Sequence, residues 1–225
     1  LGRRRGLLWH GGYHATVQQA AGTVGMPPLH GTVGVGGHNG AVDVLNVATR
    51  LYDLGYKWVA PGVEGTTELS PSHVDVDGLR SALRLFSCIV EGESDQVKGD
   101  SRWSHDGEGK FQCGTALLEP GSALEEWLRS VSAPTWMKVD GLSGAGYEFR
   151  DTEPAGIVPF HTYGTEWAYE ALKKAGQIYH DNYYAPQCAA ADDGCPALIS
   201  VNDVSVYRGG NTDDHATHET GLDLD

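Results

Sequence analysis

The residues best suited to chemistry lie in the stretch 208–225, which reads RGGNTDDHATHETGLDLD. It places the imidazoles of His215 and His218 among several carboxylates, behind a Gly-Gly turn. Neutral imidazole and carboxylate are ligand types that suit a borderline metal such as zinc. The stretch is therefore a candidate metal site.

The Leu-Asp-Leu-Asp ending of this stretch predicts a short strand, because successive side chains of a strand point to opposite faces. Leu222 and Leu224 are then expected to enter a core, and Asp223 and Asp225 to face a cleft. The Thr-Gly pair before them would let the chain fold back, so that His218 and Asp225 could meet at one metal ion.

Two upstream elements must position this stretch, a helix that begins after Thr165 and a β-rich run at residues 197–201. Thr165 is expected to cap the helix, with Glu166 and Glu170 near its positive end. The apolar face of this helix is predicted to comprise Trp167, Ala168, Ala171, Leu172, Ala175 and Ile178.

The first part of the chain is predicted to be a Gly-rich arm or linker at residues 1–37, followed by a helical domain at 38–133. The arm has too few large apolar residues to form a core, and four scattered histidines in this region are expected to be exposed: His10, His14, His30 and His38.

Helical spacing of apolar residues predicts three helices in this domain, at 42–54, at 76–90 and from residue 123. Gly55 is expected to end the first helix, and either Asp75 or Asp77 to cap the second. Residues 134–136 indicate a linker into a second domain, 134–225.

The overall charge argues against nucleic acid as a partner. The 225 residues include 16 basic and 30 acidic side chains, a formal charge of −14, whereas phosphate binding needs clustered Lys and Arg. The basic run at residues 3–5 is short and indicates a solvated tail. The sequence has no apolar run near the roughly 20 residues that span a bilayer, so no membrane span is expected.

The four cysteines fall into two local groups, Cys88 with Cys113 and Cys188 with Cys195. Even numbers and close pairs favour disulfides and an oxidising compartment, although four cysteines allow three connectivities. Four reduced, buried thiols are the alternative. Neither pair has the C-x-x-C spacing of a zinc or redox site.

Taken together, YGTEWAYEAL, LISVNDVS, RGG and H-x-x-H-x-T-G-L-D-x-D resemble the penicillin-insensitive murein endopeptidases, a group of LAS-type zinc peptidases. The similarity covers about residues 155–225. It implies that His218 and Asp225 are zinc ligands and that His215 is an additional active-site histidine. Arg208 is a candidate for binding a substrate carboxylate, since a guanidinium matches that geometry.

A second resemblance covers about residues 31–120, where GTVGVGGHNGAVDVLNVATRLYDLGY, VDVDGLRSALRLF and VKGD look like a peptidoglycan-binding-like domain. The expected fold class is therefore α+β: a small helical N-terminal module, then an incomplete LAS-type α+β peptidase domain with a small antiparallel sheet. An unrelated helical hairpin is the alternative for the first part.

The resemblance implies a Zn²⁺ enzyme that cleaves the peptide cross-links of peptidoglycan, either as a murein endopeptidase or as a D-Ala-D-Ala peptidase. Such a protein would be secreted, periplasmic or associated with the cell envelope. The alternatives are a non-catalytic wall-binding or assembly protein with a degenerate metallopeptidase framework, and a hydrolase of another D-amino-acid or amide substrate.

The family takes its third zinc ligand and a catalytic histidine from a W-x-H or H-x-H motif that comes later in the chain, and no such motif follows His218. His161 and His180 precede the stretch and are expected to be packing or surface residues. The sequence is therefore expected to be a truncated piece of a longer protein or one half of a cleaved one.

Overall fold

A computed structural model of the chain describes residues 25–63, 68–91, 114–139, 144–149, 162–190, 194–201, 205 and 207–208. These ranges contain both helices and short strands. The expected α+β class is confirmed at this level.

Three helices build the first half of the structure: α1 (Ala41–Asp53), α2 (Val76–Glu91) and α3 (Ala123–Arg129). They begin and end within one or two residues of the predicted bounds. Two short 3-10 turns, Lys57–Val59 and Pro71–His73, lie between α1 and α2. Asp75 caps α2, because its Oδ1 accepts a hydrogen bond from the backbone N–H of Asp77 at 3.1 Å.

Gly55 ends α1, as the sequence predicts. Its φ of 97° lies in the left-handed region that favours glycine. The N–H of Tyr56 donates to the carbonyl of Leu51 and the N–H of Gly55 to that of Tyr52, both at 3.0 Å. This pair of bonds is the Schellman motif, which satisfies carbonyls that the helix itself leaves unpaired.

The interior of the helical part is aliphatic on α1 and α2 and aromatic where the chain leaves them. Its largest fully buried side chains include Trp58, Tyr56, Phe86, Leu51, Leu83, Leu85 and Leu128. Burial of each such side chain contributes on the order of 1.5–3 kcal/mol.

The described part of the Gly-rich arm packs against the helical core. Met26, Leu29 and Val33 are buried in the helical core. Two acidic side chains in the first turns of helices hold this segment: Glu125 accepts the N–H of Leu29 at 2.8 Å, and Asp43 accepts that of Gly31 at 2.9 Å. The segment therefore packs because its three apolar side chains enter the helical core and two of its N–H groups donate to carboxylates.

A pair of two-residue strands closes this part: β1 (Val33–Gly34) runs antiparallel to β2 (Leu117–Leu118). Val33 and Leu118, which lie opposite each other, are both fully buried. The strand pair thus joins the arm to the helices.

Four further strands form two separate pairs. β3 (Trp136–Lys138) is antiparallel to β5 (Tyr163–Thr165), whereas β4 (Tyr147–Phe149) is parallel to β6 (Ile199–Val201). The expected small antiparallel sheet is therefore confirmed only for the first pair. A parallel pair requires a long crossover connection, and here that connection includes the helix Glu166–Tyr179.

The prediction of a linker at residues 134–136 is wrong for Trp136. Trp136 begins β3, is 3% exposed and belongs to the helical core. Its N–H donates to the carbonyl of Leu54 at 2.7 Å.

Four apolar residues form a second, smaller core, namely Val139, Tyr147, Leu172 and Val201. The domain boundary at 133/134 stays a prediction.

The predicted long helix is α4 (Glu166–Tyr179), which continues through a π-helical turn (His180–Tyr184) into α5 (Ala185–Ala190). The hydroxyl of Thr165 accepts the N–H of Ala168 at 3.2 Å, so the predicted N-cap is confirmed.

The buried stripe of α4 is narrower than the sequence predicts. It consists of Ala168, Leu172 and Gly176, while Ile178 is 55% exposed. Gly176 is needed there because a Cβ would lie 2.5 Å from the ring of Tyr147. The buried residues of α4 recur every four positions, and Ile178 lies on a different face of the helix.

One predicted cysteine pair is confirmed, since Cys188 and Cys195 form a disulfide. Cys88 is also disulfide-bonded, and Cys113 lies outside the described residues. In the described ranges, no helix has the length and apolar character that crossing a membrane requires.

Candidate functional site

The candidate zinc ligands His218 and Asp225 and the candidate catalytic His215 lie outside the described residues. The strand expected at 222–225 lies there too. What the structure does describe is the segment that leads to them, as far as Arg208.

This lead-in begins at β6, which is held against β4. The N–H of Ile199 donates to the carbonyl of Gly146 at 2.9 Å, and Val201 is buried in the small core. The strand predicted at 197–201 is thus confirmed for its last three residues, of which Val201 is the buried one. It carries the chain from the surface towards the helical part.

Beyond β6 the backbone is bonded to the strands β5 and β3. The carbonyl of Ser205 accepts the N–H of Tyr163 at 2.8 Å. Two residues later, the carbonyl of Tyr207 accepts the indole N–H of Trp136 at 2.8 Å. The buried indole of Trp136 is thereby satisfied, as buried donors generally are.

The ring of Tyr207 completes this attachment. Its centroid lies 5.3 Å from the ring of Trp58 and 5.1 Å from that of Tyr163, within the range for favourable aromatic pairs. Burial raises the pKa of the Tyr207 hydroxyl, nearby Tyr163 raises it further, and Arg208 partly offsets this. The hydroxyl is therefore protonated at neutral pH, and Tyr207 acts as an uncharged aromatic anchor.

Arg208 follows this anchor directly and is exposed. Within the described ranges, no acidic side chain forms an ion pair with it. A guanidinium that is free of an internal carboxylate can bind one from a ligand, with two parallel hydrogen bonds. The substrate-binding role of Arg208 stays a prediction.

A separate open cavity of about 410 Å³ lies at the start of α1. His30, His38 and the buried Asp43 are among the residues that line it. Both histidines are exposed, as expected, and His10 and His14 lie outside the described residues. No sequence pattern singles out Asp43 beyond its place in the first turn of a helix, where an acidic residue is favourable.

Asp43 makes the stability of this region pH-dependent. Burial raises the pKa of its carboxyl, but hydrogen bonds from His30 and Gly31 outweigh this, so the pKa lies below the ordinary 3.8. A carboxyl whose pKa is lower in the folded than in the unfolded state stabilises the fold at pH values above the unfolded-state pKa. This stabilisation is lost as the pH falls through the folded-state pKa.

We therefore expect Asp43→Asn to be less stable than the wild type at pH 7, with the difference shrinking as pH falls below about 4. Urea unfolding across this pH range measures it. Asp77→Asn is the matched control, because Asp77 is exposed and pairs only with Arg80 on the surface, which contributes little. A pH-independent difference for Asp43→Asn would contradict the assignment.

The metal site itself stays a prediction. Within the described ranges, no group of three or more His, Cys, Asp or Glu side chains is placed to hold a metal ion. His218 and Asp225 are suitable donors but number two, whereas a catalytic zinc takes three protein ligands. A W-x-H triplet at residues 103–105 precedes the H-x-x-H segment and lies outside the described ranges.

Of the two upstream histidines, the structure describes His180. His180 is half-buried in the π-helical turn and stacks on Tyr184 at a centroid distance of 5.7 Å, in keeping with the expected packing role. His161 lies outside the described residues.

Comparison with known proteins adds no relative. No protein-family model matches the chain, and neither a curated protein nor a solved structure is significantly similar to it.

Proposed function

We propose that this chain belongs to a zinc-dependent peptidoglycan peptidase, of murein endopeptidase or D-Ala-D-Ala type, that cleaves wall peptide cross-links. The observation that carries the proposal is the placement of Arg208. Its exposed guanidinium follows the aromatic anchor Tyr207 and lies seven positions before His215, the first residue of the H-x-x-H-x-T-G-L-D-x-D segment.

Each residue has a distinct role in this proposal. His218 and Asp225 would hold the zinc ion together with a third ligand, and the ion would polarise the scissile carbonyl and activate water. His215 would transfer protons near the reacting bond. Arg208 would bind a substrate carboxylate and so orient the peptide.

The helical part has a supporting role. As a peptidoglycan-binding-like domain it would hold the enzyme at the polymer, and tethering raises the effective concentration of the scissile bond. The Cys188–Cys195 disulfide supports a secreted, periplasmic or envelope-associated protein, because disulfides persist in oxidising compartments.

Metal removal tests this proposal on the protein encoded by the whole gene. We expect about one zinc per chain, muropeptide release from purified peptidoglycan, loss of release after chelation and recovery with added Zn²⁺. Release that persists in the zinc-free protein would contradict the zinc mechanism. Sedimentation with peptidoglycan, but no zinc and no release, would favour the non-catalytic wall-binding alternative.

A further inference from the structure

The Cys188–Cys195 disulfide joins α5 to the segment that leads into β6. Cys188 lies in α5, and Cys195 lies four residues before β6. The Cα atoms of the pair are 4.4 Å apart. The bond therefore ties the end of the long helical run to the segment that enters β6.

Few other interactions hold this segment in the described structure. The hydroxyl of Tyr179 donates to the carbonyl of Ala197 at 2.8 Å on the surface. The pairing of β6 with β4 is only three residues long, and Val201 is its buried residue. Short elements with exposed hydrogen bonds open locally at low free-energy cost, so the disulfide has a large share in holding them.

The disulfide is also accessible. Cys195 is exposed and Cys188 is half-buried, and thiol–disulfide exchange requires access of a thiolate to a sulfur.

We propose that the Cys188–Cys195 bond is a redox-sensitive latch, whose reduction by a dithiol frees the segment before β6 and loosens β6. One thiolate of the dithiol attacks Sγ of Cys195, and the S–S bond breaks with Cys188 leaving as a thiolate that takes up a proton. The second thiol of the dithiol then displaces Cys195. Two electrons and two protons pass to the cysteines, and the dithiol becomes a cyclic disulfide.

Hydrogen exchange measured by mass spectrometry tests the latch on the full chain. In Cys188→Ser/Cys195→Ser, without reductant, we expect amide exchange at residues 197–201 to be at least about tenfold faster than in the oxidised wild type. Exchange in α1 and α2 should be unchanged. The double variant is needed because Cys88 is also disulfide-bonded and a reductant could act on both bonds.

Dithiothreitol treatment of the wild type provides the second arm, with alkylation to show which cysteines were reduced. We expect it to reproduce the faster exchange at residues 197–201, and to change nothing further there in the double variant. Equal exchange in the oxidised wild type and the double variant would overturn the latch. If the double variant does not fold, reduction of Cys188 and Cys195 in the wild type without faster exchange would overturn it too. None of these measurements depends on peptidase activity or zinc.

Discussion

Replacing Gly55 with alanine is expected to destabilise the protein by about 4 kcal/mol or more. Two costs combine at this position. The φ of 97° is unfavourable for any residue with a Cβ. The added Cβ would also lie 2.0 Å from the carbonyl oxygen of Trp136. Since that oxygen belongs to the backbone of β3, it cannot move aside as a flexible side chain would.

Relief of this clash would separate the end of α1 from β3. The hydrogen bond from the N–H of Trp136 to Leu54, at 2.7 Å, would be lost or lengthened. The buried Trp136 would lose its packing against Tyr56 and Trp58. We therefore expect loss of helical stability and of the attachment of Tyr207 in the same variant.

Gly36→Ala is the matched control for this prediction. Gly36 has a φ of 74°, and a Cβ there would have no atom within 4 Å. It tests the backbone cost alone, about 1–2 kcal/mol. Urea unfolding followed by circular dichroism measures both variants. Equal destabilisation by the two substitutions would show that the close packing of Gly55 on β3 does not contribute to the free energy of unfolding.

Replacing His218 with alanine is expected to reduce bound zinc to under about a tenth of the wild-type content and kcat/KM for muropeptide release by more than about 100-fold. Loss of a residue that only hydrogen-bonds to a metal ligand typically reduces metal affinity or activity about 10–100-fold. Loss of the ligand itself should reduce them more. This expectation rests on the proposed function and applies to the protein encoded by the whole gene.

His180→Ala is the control, because His180 lies in the π-helical turn and is not part of the H-x-x-H-x-T-G-L-D-x-D segment. Elemental analysis and release assays on both variants should show wild-type zinc and near-wild-type release for His180→Ala. Full zinc content and unchanged release in His218→Ala would remove His218 from the mechanism. Unchanged zinc with lost release would instead assign His218 to proton transfer.

Features that depend on nearby residues were predicted well from the sequence. The left-handed residue that ends α1 must be compatible with φ > 0, so Gly55 was identifiable from its type and position. The cap of α4 was identifiable because the hydroxyl of Thr165 satisfies an N–H only three residues ahead. The Cys188–Cys195 disulfide is separated by seven residues, so closing its loop costs little entropy.

Features that depend on distant residues were missed. Leu29 binds Glu125 across 96 positions, and Trp136 binds Tyr207 across 71. No local pattern marks such partners, because each residue taken alone looks like part of a loop or linker. The segment of the arm near Leu29 and the strand at Trp136 were therefore expected to be irregular, although both pack on the helical core.

For the candidate site, the sequence alone determined the residue types: two imidazoles, a terminal carboxylate and a guanidinium whose spacing resembles a zinc peptidase. The tertiary structure decided how the chain reaches the guanidinium of Arg208. Arg208 is exposed, and the residue before it is attached because Tyr207 packs on Trp58 and Tyr163 and its carbonyl accepts the indole N–H of Trp136. Those contacts join four distant parts of the chain, and only folding brings such parts together.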